Sequence, residues 1–228
     1  LTFNRFLKNQ NLSLIDGKNL IKKCKLTWCS VVNEDLENFF YDGLCKFLNS
    51  TPSKKIKVNF EEPFVFKWGN VKMSINRDIP KNLGLDRWAA MIGLASLKLE
   101  RKSVVVVSVG TATVYDFYSW KKEKNMNWSL TLKHGLIFPG FKTMNDSLIS
   151  INPCLTSEKG KLKLKSGNTN DSVLTAISLS QISPLFNYKS DNLVILHGGM
   201  YKKWQNSAKK FICEDLNIIH DPWLIFRG

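Results

Sequence analysis

Four short segments of this chain hold residue types suited to chemistry on a hydroxyl and a phosphate. Leu83-Gly84-Leu85-Asp86-Arg87-Trp88 sets a carboxylate beside a guanidinium at the start of a predicted helix. Asp86 there would cap the helix and favour its dipole. The same carboxylate could accept a proton from a substrate hydroxyl, with Arg87 gripping an anionic or polar group. Gly110-Thr111 separates the β-branched run Val104 to Val109 from a second run, Val114 to Tyr118. Two strands joined by so tight a turn expose backbone N–H groups and a Thr hydroxyl, which can hold a phosphate or simply close a hairpin. Gly135 to Gly140 brackets Leu-Ile-Phe-Pro with glycines that let backbone approach a ligand closely. His197-Gly198-Gly199 reads as a strand-to-helix turn suited to a nucleotide.

These segments need elements to position them. Trp28 to Val32 reads as a strand, and Asn33 caps a helix from Glu34 to Leu48 with Leu36, Phe39, Phe40, Leu44 and Phe47 on its apolar face. Lys55 to Phe60 and Lys72 to Ile75 read as short strands. A helix from Asp86 to Leu99 offers Trp88, Ala89, Met91, Ile92, Ala95 and Leu99 to a core. After the Gly110 turn, Trp128 to Leu132 reads as a third strand, and Pro139-Gly140 breaks the pattern before a helix near Thr143 to Ile149. Asp171 to Leu185 and Met200 to Ile212 read as helices, Leu193 to His197 as a strand. Leu216 to His220 and Leu224 to Phe226 are expected to close the sheet. The pattern predicts mixed α/β layers with ligands at strand ends. Lys81 to Gly84 and Arg101-Lys102 are the plausible seams, and the second gives lobes of residues 1–101 and 102–228.

Composition bounds the partners. At 228 residues and 43% hydrophobic, the chain can bury a sizeable core. Its longest apolar run is far too short to span a bilayer, and Leu1-Thr2-Phe3-Asn4-Arg5 does not read as a signal peptide. The start also lacks a Met, so further residues are expected upstream. Cys24, Cys29, Cys45, Cys154 and Cys213 show no paired metal spacing and fit buried free thiols in a reducing cytosol. The net charge of +14 invites a nucleic-acid reading, yet 28 of the 33 basic residues are Lys, spread in small groups. Scattered Lys fits a solvated surface better than it fits bidentate readers of bases or phosphates, and it would still draw in anionic substrates. The Gly-x-Ser-x-Gly, His-Glu-x-x-His and Gly-x-x-x-x-Gly-Lys-Ser/Thr signatures are all missing. His134, His197 and His220 are too scattered in sequence to suggest a metal site.

In order and spacing, the four segments resemble type III pantothenate kinases. That family carries Gly-x-Asp-Arg, Asp-x-Gly-Thr-Ala, Gly-Gly-x-Ile-x-Pro-Gly and a late Gly-Gly turn. Here they stand as Gly84-Leu85-Asp86-Arg87, Ser108-Val109-Gly110-Thr111-Ala112, His134 to Gly140, and Gly198-Gly199. Asp221-Pro222-Trp223-Leu224-Ile225 looks like its closing strand. The resemblance runs from about Trp28 to the C-terminus. It implies the duplicated actin-like, Hsp70-like (ribonuclease H-like) ATPase fold, with mixed sheets flanked by helices. It implies ATP-dependent phosphorylation of pantothenate, the first step towards coenzyme A, by a cytoplasmic homodimer using Mg²⁺. Asp86 would be the general base; Gly84, Leu85 and Arg87 would line the pantothenate site; Gly110 and Thr111 would hold ATP phosphates. A substrate-site hydroxyl, often supplied by the partner subunit, would be Thr169, with Ser172 as its rival.

The departures also carry expectations. Ser108 stands where the family has an Asp that holds a monovalent cation, and a neutral hydroxyl is a much weaker ligand than a carboxylate. Dependence on potassium or ammonium is therefore expected to be reduced or lost, or activity to be low. Arg77 takes the place of a Tyr over the substrate, and His134 replaces the first Gly of the third motif. No Asp-x-Gly-Asn-Thr phosphate motif precedes Asp86; Asp16-Gly17-Lys18-Asn19 reads as a turn and sits too close to Asp86. The N-terminal lobe is thus expected to lack its first strand-turn-strand, and with it a carboxylate near Mg²⁺. The alternative to an active kinase is a degenerate paralogue that binds a nucleotide or a partner without turnover, and a nucleic-acid binder ranks third.

Overall fold

The computed structural model describes residues 25–28, 34–48, 54–57, 64–68, 71–77, 83–97, 99, 103–122, 128–186, 193–212 and 216–227. The chain divides into two compact units, Leu1–Glu61 with Leu83–Trp88, and Glu62–Asn82 with Ala89–Gly228.

In the first unit, β1 (Lys25–Trp28) pairs in parallel with β2 (Lys54–Lys57), with α1 (Glu34–Leu48) between them in the chain. The helix spans the residues its apolar spacing predicts. Lys46 lies in its last turn, matched to the helix dipole. Phe39, expected on the apolar face, is exposed. The strand expected at Trp28 to Val32 has only Trp28 among the described residues, as the end of β1.

The second unit is built on a seven-stranded mixed sheet in the order β3-β4-β7-β6-β5-β8-β9. Its strands are β3 (Phe64–Trp68), β4 (Val71–Arg77), β5 (Ser103–Val109), β6 (Ala112–Lys122), β7 (Trp128–Pro139), β8 (Leu193–His197) and β9 (Asn217–His220). β5, β6 and β7 form an antiparallel meander, while β8 and then β9 add in parallel on the far side of β5. Central β5 and β8 are buried on both faces, which explains their unbroken apolar runs. One face packs under α3 (Phe141–Ile151), α4 (Thr169–Ile182) and α5 (Tyr201–Phe211): Val105, Val107, Val194 and Leu196 share a core with Phe141, Val173, Ile177 and Trp204. The fold class is the expected mixed α/β sheet with flanking helices.

α2 (Leu85–Ser96) ends before Leu99, and its residues from Trp88 to Ala95 are buried. β7 runs on to Pro139 instead of stopping at Leu132, because pairing with β6 from Phe138↔Thr113 to Leu136↔Tyr115 holds the Gly135 segment extended. The segment at Leu224 is not a closing strand. It is a short helix, α6 (Leu224–Arg227), nucleated by the Asp221 carboxylate, which accepts from Trp223 N–H at 3.0 Å and from Arg227 Nε at 2.8 Å. Cys154 is exposed, not buried.

Candidate active site

The Gly110-Thr111 turn is gripped from two sides. It closes the β5–β6 hairpin, with Gly110 N–H donating to the Ala112 carbonyl at 2.9 Å. The Thr111 carbonyl accepts from Gly140 N–H and from the Thr143 hydroxyl, each at 2.7 Å. A Cβ on Gly140 would overlap the carbonyl oxygens of Gly110 and Thr111, so only glycine admits this approach. On the other side, Met200 N–H donates to the Val109 carbonyl at 3.1 Å. Gly198 lies against Val109 with φ +100°, a left-handed conformation that other residues rarely adopt.

Three of the four sequence segments therefore converge on one turn. Thr111 is left exposed beside the starts of α3 and α5, neither of which has a side-chain cap. Two helix N-termini without side-chain caps next to a Gly-Thr turn favour an anion.

A buried network fixes the turn from behind. The Thr113 hydroxyl donates to Gln181 Oε1, and Gln181 Nε2 donates to the Pro139 carbonyl at 2.9 Å. The Tyr115 hydroxyl donates to the Gln181 backbone carbonyl and accepts from Trp204 Nε1 at 2.6 Å. Thr113, Tyr115, Gln181 and Trp204 are fully buried. Burial raises the Tyr115 pKa well above the usual phenol range, against the bond from Trp204, so the hydroxyl stays protonated as the network requires. Nothing in the sequence motifs pointed to Gln181.

A cleft of about 480 Å³ adjoins the turn. Its walls are α3 from Phe141 to Asp146, the segment Ser157–Gly160, Leu174 and Ile177 of α4, and Met200 and Lys203 of α5. The volume suits a small organic ligand. Lys142, Lys159 and Lys203 outnumber Asp146 and Glu158 in its lining, so it favours negative charge.

Other expected site residues stand at the starts of α2 and α4. In the first unit, Asp86 is exposed in the first turn of α2, and its Oδ1 accepts from Arg87 N–H at 2.9 Å. Gly84 provides the carbonyl for Trp88 N–H at 3.1 Å, while Leu85 and Arg87 are half-buried. Thr169 is exposed at the start of α4, about 18 Å along that helix from Gln181. The structure does not bring Thr169 to the Gly110 turn of its own chain. Its rival Ser172 is engaged locally, with its hydroxyl at 2.6 Å from Ser166 Oγ and donating to the Asn168 carbonyl at 3.0 Å.

A sequence profile of type III pantothenate kinases matches residues 29–183. The chain belongs to this family. It is 33% identical to the type III pantothenate kinase of Azoarcus sp. (strain BH72) over 128 residues, 54% of this chain and 45% of that protein. With the Pseudoalteromonas translucida (strain TAC 125) enzyme it shares 28% over 156 residues, 64% of this chain and 59% of that one. The chain thus spans about half the length of the curated relatives it matches. A solved Campylobacter jejuni protein, described as a conserved member of the Baf family of transcriptional activators, shares the fold: TM-score 0.57 at 23% identity, covering 94% of this chain and 84% of that one. The structure shows a mixed sheet flanked by helices, as the pantothenate kinase resemblance implies.

Ser108 is half-buried in β5, opposite Val114 of β6 and buried His197 of β8. Its hydroxyl brings no carboxylate, and among the described residues no group of three or more His, Cys, Asp or Glu could hold a metal. His134, the other departure in the pantothenate kinase motifs, is exposed and stacks on Phe117 at 4.3 Å. Among the described residues, no helix is long and apolar enough to cross a membrane.

Proposed function

We propose that this chain transfers the γ-phosphoryl group of ATP to the hydroxyl of pantothenate, giving 4'-phosphopantothenate in the cytoplasm. The observation that carries this reading is the convergence of Gly110-Thr111, Gly140 and Gly198 into one rigid turn beside two uncapped helix N-termini. Such a turn holds phosphates through backbone N–H groups, here with the exposed Thr111 hydroxyl added. The adjoining cleft takes the nucleoside.

Phosphoryl transfer asks for positioning and charge neutralisation more than for covalent work by the protein. Asp86 accepts the proton of the pantothenate hydroxyl as its oxygen attacks the γ-phosphorus, and ADP leaves. Gly84, Leu85 and Arg87 line the pantothenate site. Thr169 adds a hydroxyl bond to the polar chain of pantothenate from the second subunit of a homodimer, which its distance from its own turn favours. Mg²⁺ bound with ATP would neutralise phosphate charge. The division into lobes at Arg101-Lys102 belongs to the same proposal.

Ser108 supports one second reading, a paralogue that binds nucleotide without turnover. Incubating the full protein with MgATP and pantothenate, and following 4'-phosphopantothenate by mass spectrometry, separates the two. Product supports the kinase, whereas nucleotide binding without product supports the paralogue.

A further inference from the structure

One wall of the cleft, Ser157 to Gly160, begins a strap that runs on to Lys163, and four side chains of α3 and α4 bond its backbone. Asn145 Oδ1 accepts from Ser157 N–H at 2.8 Å, and Asn170 Nδ2 donates to the Glu158 carbonyl at 2.6 Å. Asp171 Oδ1 accepts from Lys161 N–H at 2.7 Å. The Thr175 hydroxyl accepts from Lys163 N–H and donates to the Lys163 carbonyl, both at 3.1 Å. Asp171 is only 3% exposed, and its Oδ2 lies 3.3 Å from Lys163 Nζ. A buried carboxylate is expensive to keep, so its partners on the strap define where the strap sits.

Asp171 also belongs to the first turn of α4. Its own N–H donates to Asn168 Oδ1 at 2.8 Å, which caps the helix next to exposed Thr169. One buried residue therefore anchors both the strap, directly after its cleft-lining part, and the turn that presents Thr169.

We propose that Asp171 is a positioning residue that holds the strap Ser157–Lys163 at Lys161 and Lys163, so that its first part, Ser157–Gly160, stays in place as a wall of the nucleotide cleft, and ties the strap to Thr169. The inference rests on the nucleotide reading of the cleft given above. Asp171 touches no reacting atom. It sets binding and leaves the chemical step alone.

The test uses the full protein as wild type, Asp171→Asn and Thr175→Val. Thr175→Val removes the two strap bonds and keeps the shape of the buried side chain, so it carries the test if Asp171→Asn does not fold. Calorimetry measures binding of a non-hydrolysable ATP analogue with Mg²⁺. Brief trypsin digestion reports on the strap at Lys159, Lys161 and Lys163. Both variants are expected to bind the analogue about tenfold more weakly, with KM for ATP raised to match and kcat at saturating ATP nearly unchanged. Cleavage at the strap lysines should be faster in both, and the analogue should slow it in the wild type. Folded variants that bind the analogue as the wild type does would overturn the inference alone. A wild type that binds no nucleotide would overturn the cleft reading and this inference with it.

Discussion

The backbone N–H of Gly140 donates to the carbonyl of Thr111 at 2.7 Å, so the start of α3 is fastened to the tip of the β5–β6 hairpin. There is no room for a side chain at that junction. Gly140→Ala is predicted to destabilise the fold by about 1–3 kcal/mol, as overpacking does, and to weaken ATP binding because the turn is displaced. Urea unfolding and nucleotide titration of the same preparation check both parts.

Gln181 sits behind that junction and bonds both the hairpin and the end of β7. Gln181→Leu would leave the buried Thr113 hydroxyl without this partner and would remove the bond to the carbonyl of exposed Pro139. The expected loss is roughly 1–3 kcal/mol, chiefly from the one buried unsatisfied hydroxyl. A midpoint in urea unchanged from the wild type would contradict the role given to this network.

Much of this arrangement was legible in the sequence, for local reasons. The Val104 to Val109 run, the Gly110-Thr111 break and the apolar spacing of Glu34 to Leu48 each specify their element within a few residues. What escaped was decided at longer range. β7 extends through Gly135 because β6 pairs with it. Leu224-Ile225-Phe226 has a strand-like composition but turns helical because Asp221 bonds Trp223 N–H and Arg227 Nε. The strap is invisible in sequence because Asp171 and Thr175 grip backbone groups 10 and 12 residues away.

Asp171 carries the clearest acid signature. Its pKa is lowered first by the bond from Lys161 N–H, then by Lys163 and Asn168, against the opposing effect of burial. A carboxyl whose folded pKa lies below its unfolded value of about 4 contributes stability that is complete above that value. The contribution is lost as pH falls through the folded pKa. Thermal unfolding of wild type and Asp171→Asn across a pH series should show a constant gap at neutral pH that narrows only below about pH 4. A gap that closed between pH 5 and 7 would contradict the assignment.

Potassium should matter little. Ser108 supplies a hydroxyl where a carboxylate would hold the ion, so activity measured at constant ionic strength should respond weakly to potassium. Ser108→Asp should strengthen the response. Full stimulation of the wild type by potassium would contradict this.

The central claim is that Asp86 is the base of an ATP-dependent pantothenate kinase. Its most direct test is the initial rate of 4'-phosphopantothenate formation by wild type and Asp86→Asn, with MgATP and pantothenate saturating. Product is expected from the wild type, with a kcat lower by about 10²–10⁴-fold in Asp86→Asn and nucleotide binding retained. Equal rates from the two proteins, or a wild type that binds both substrates and forms no product, would contradict it.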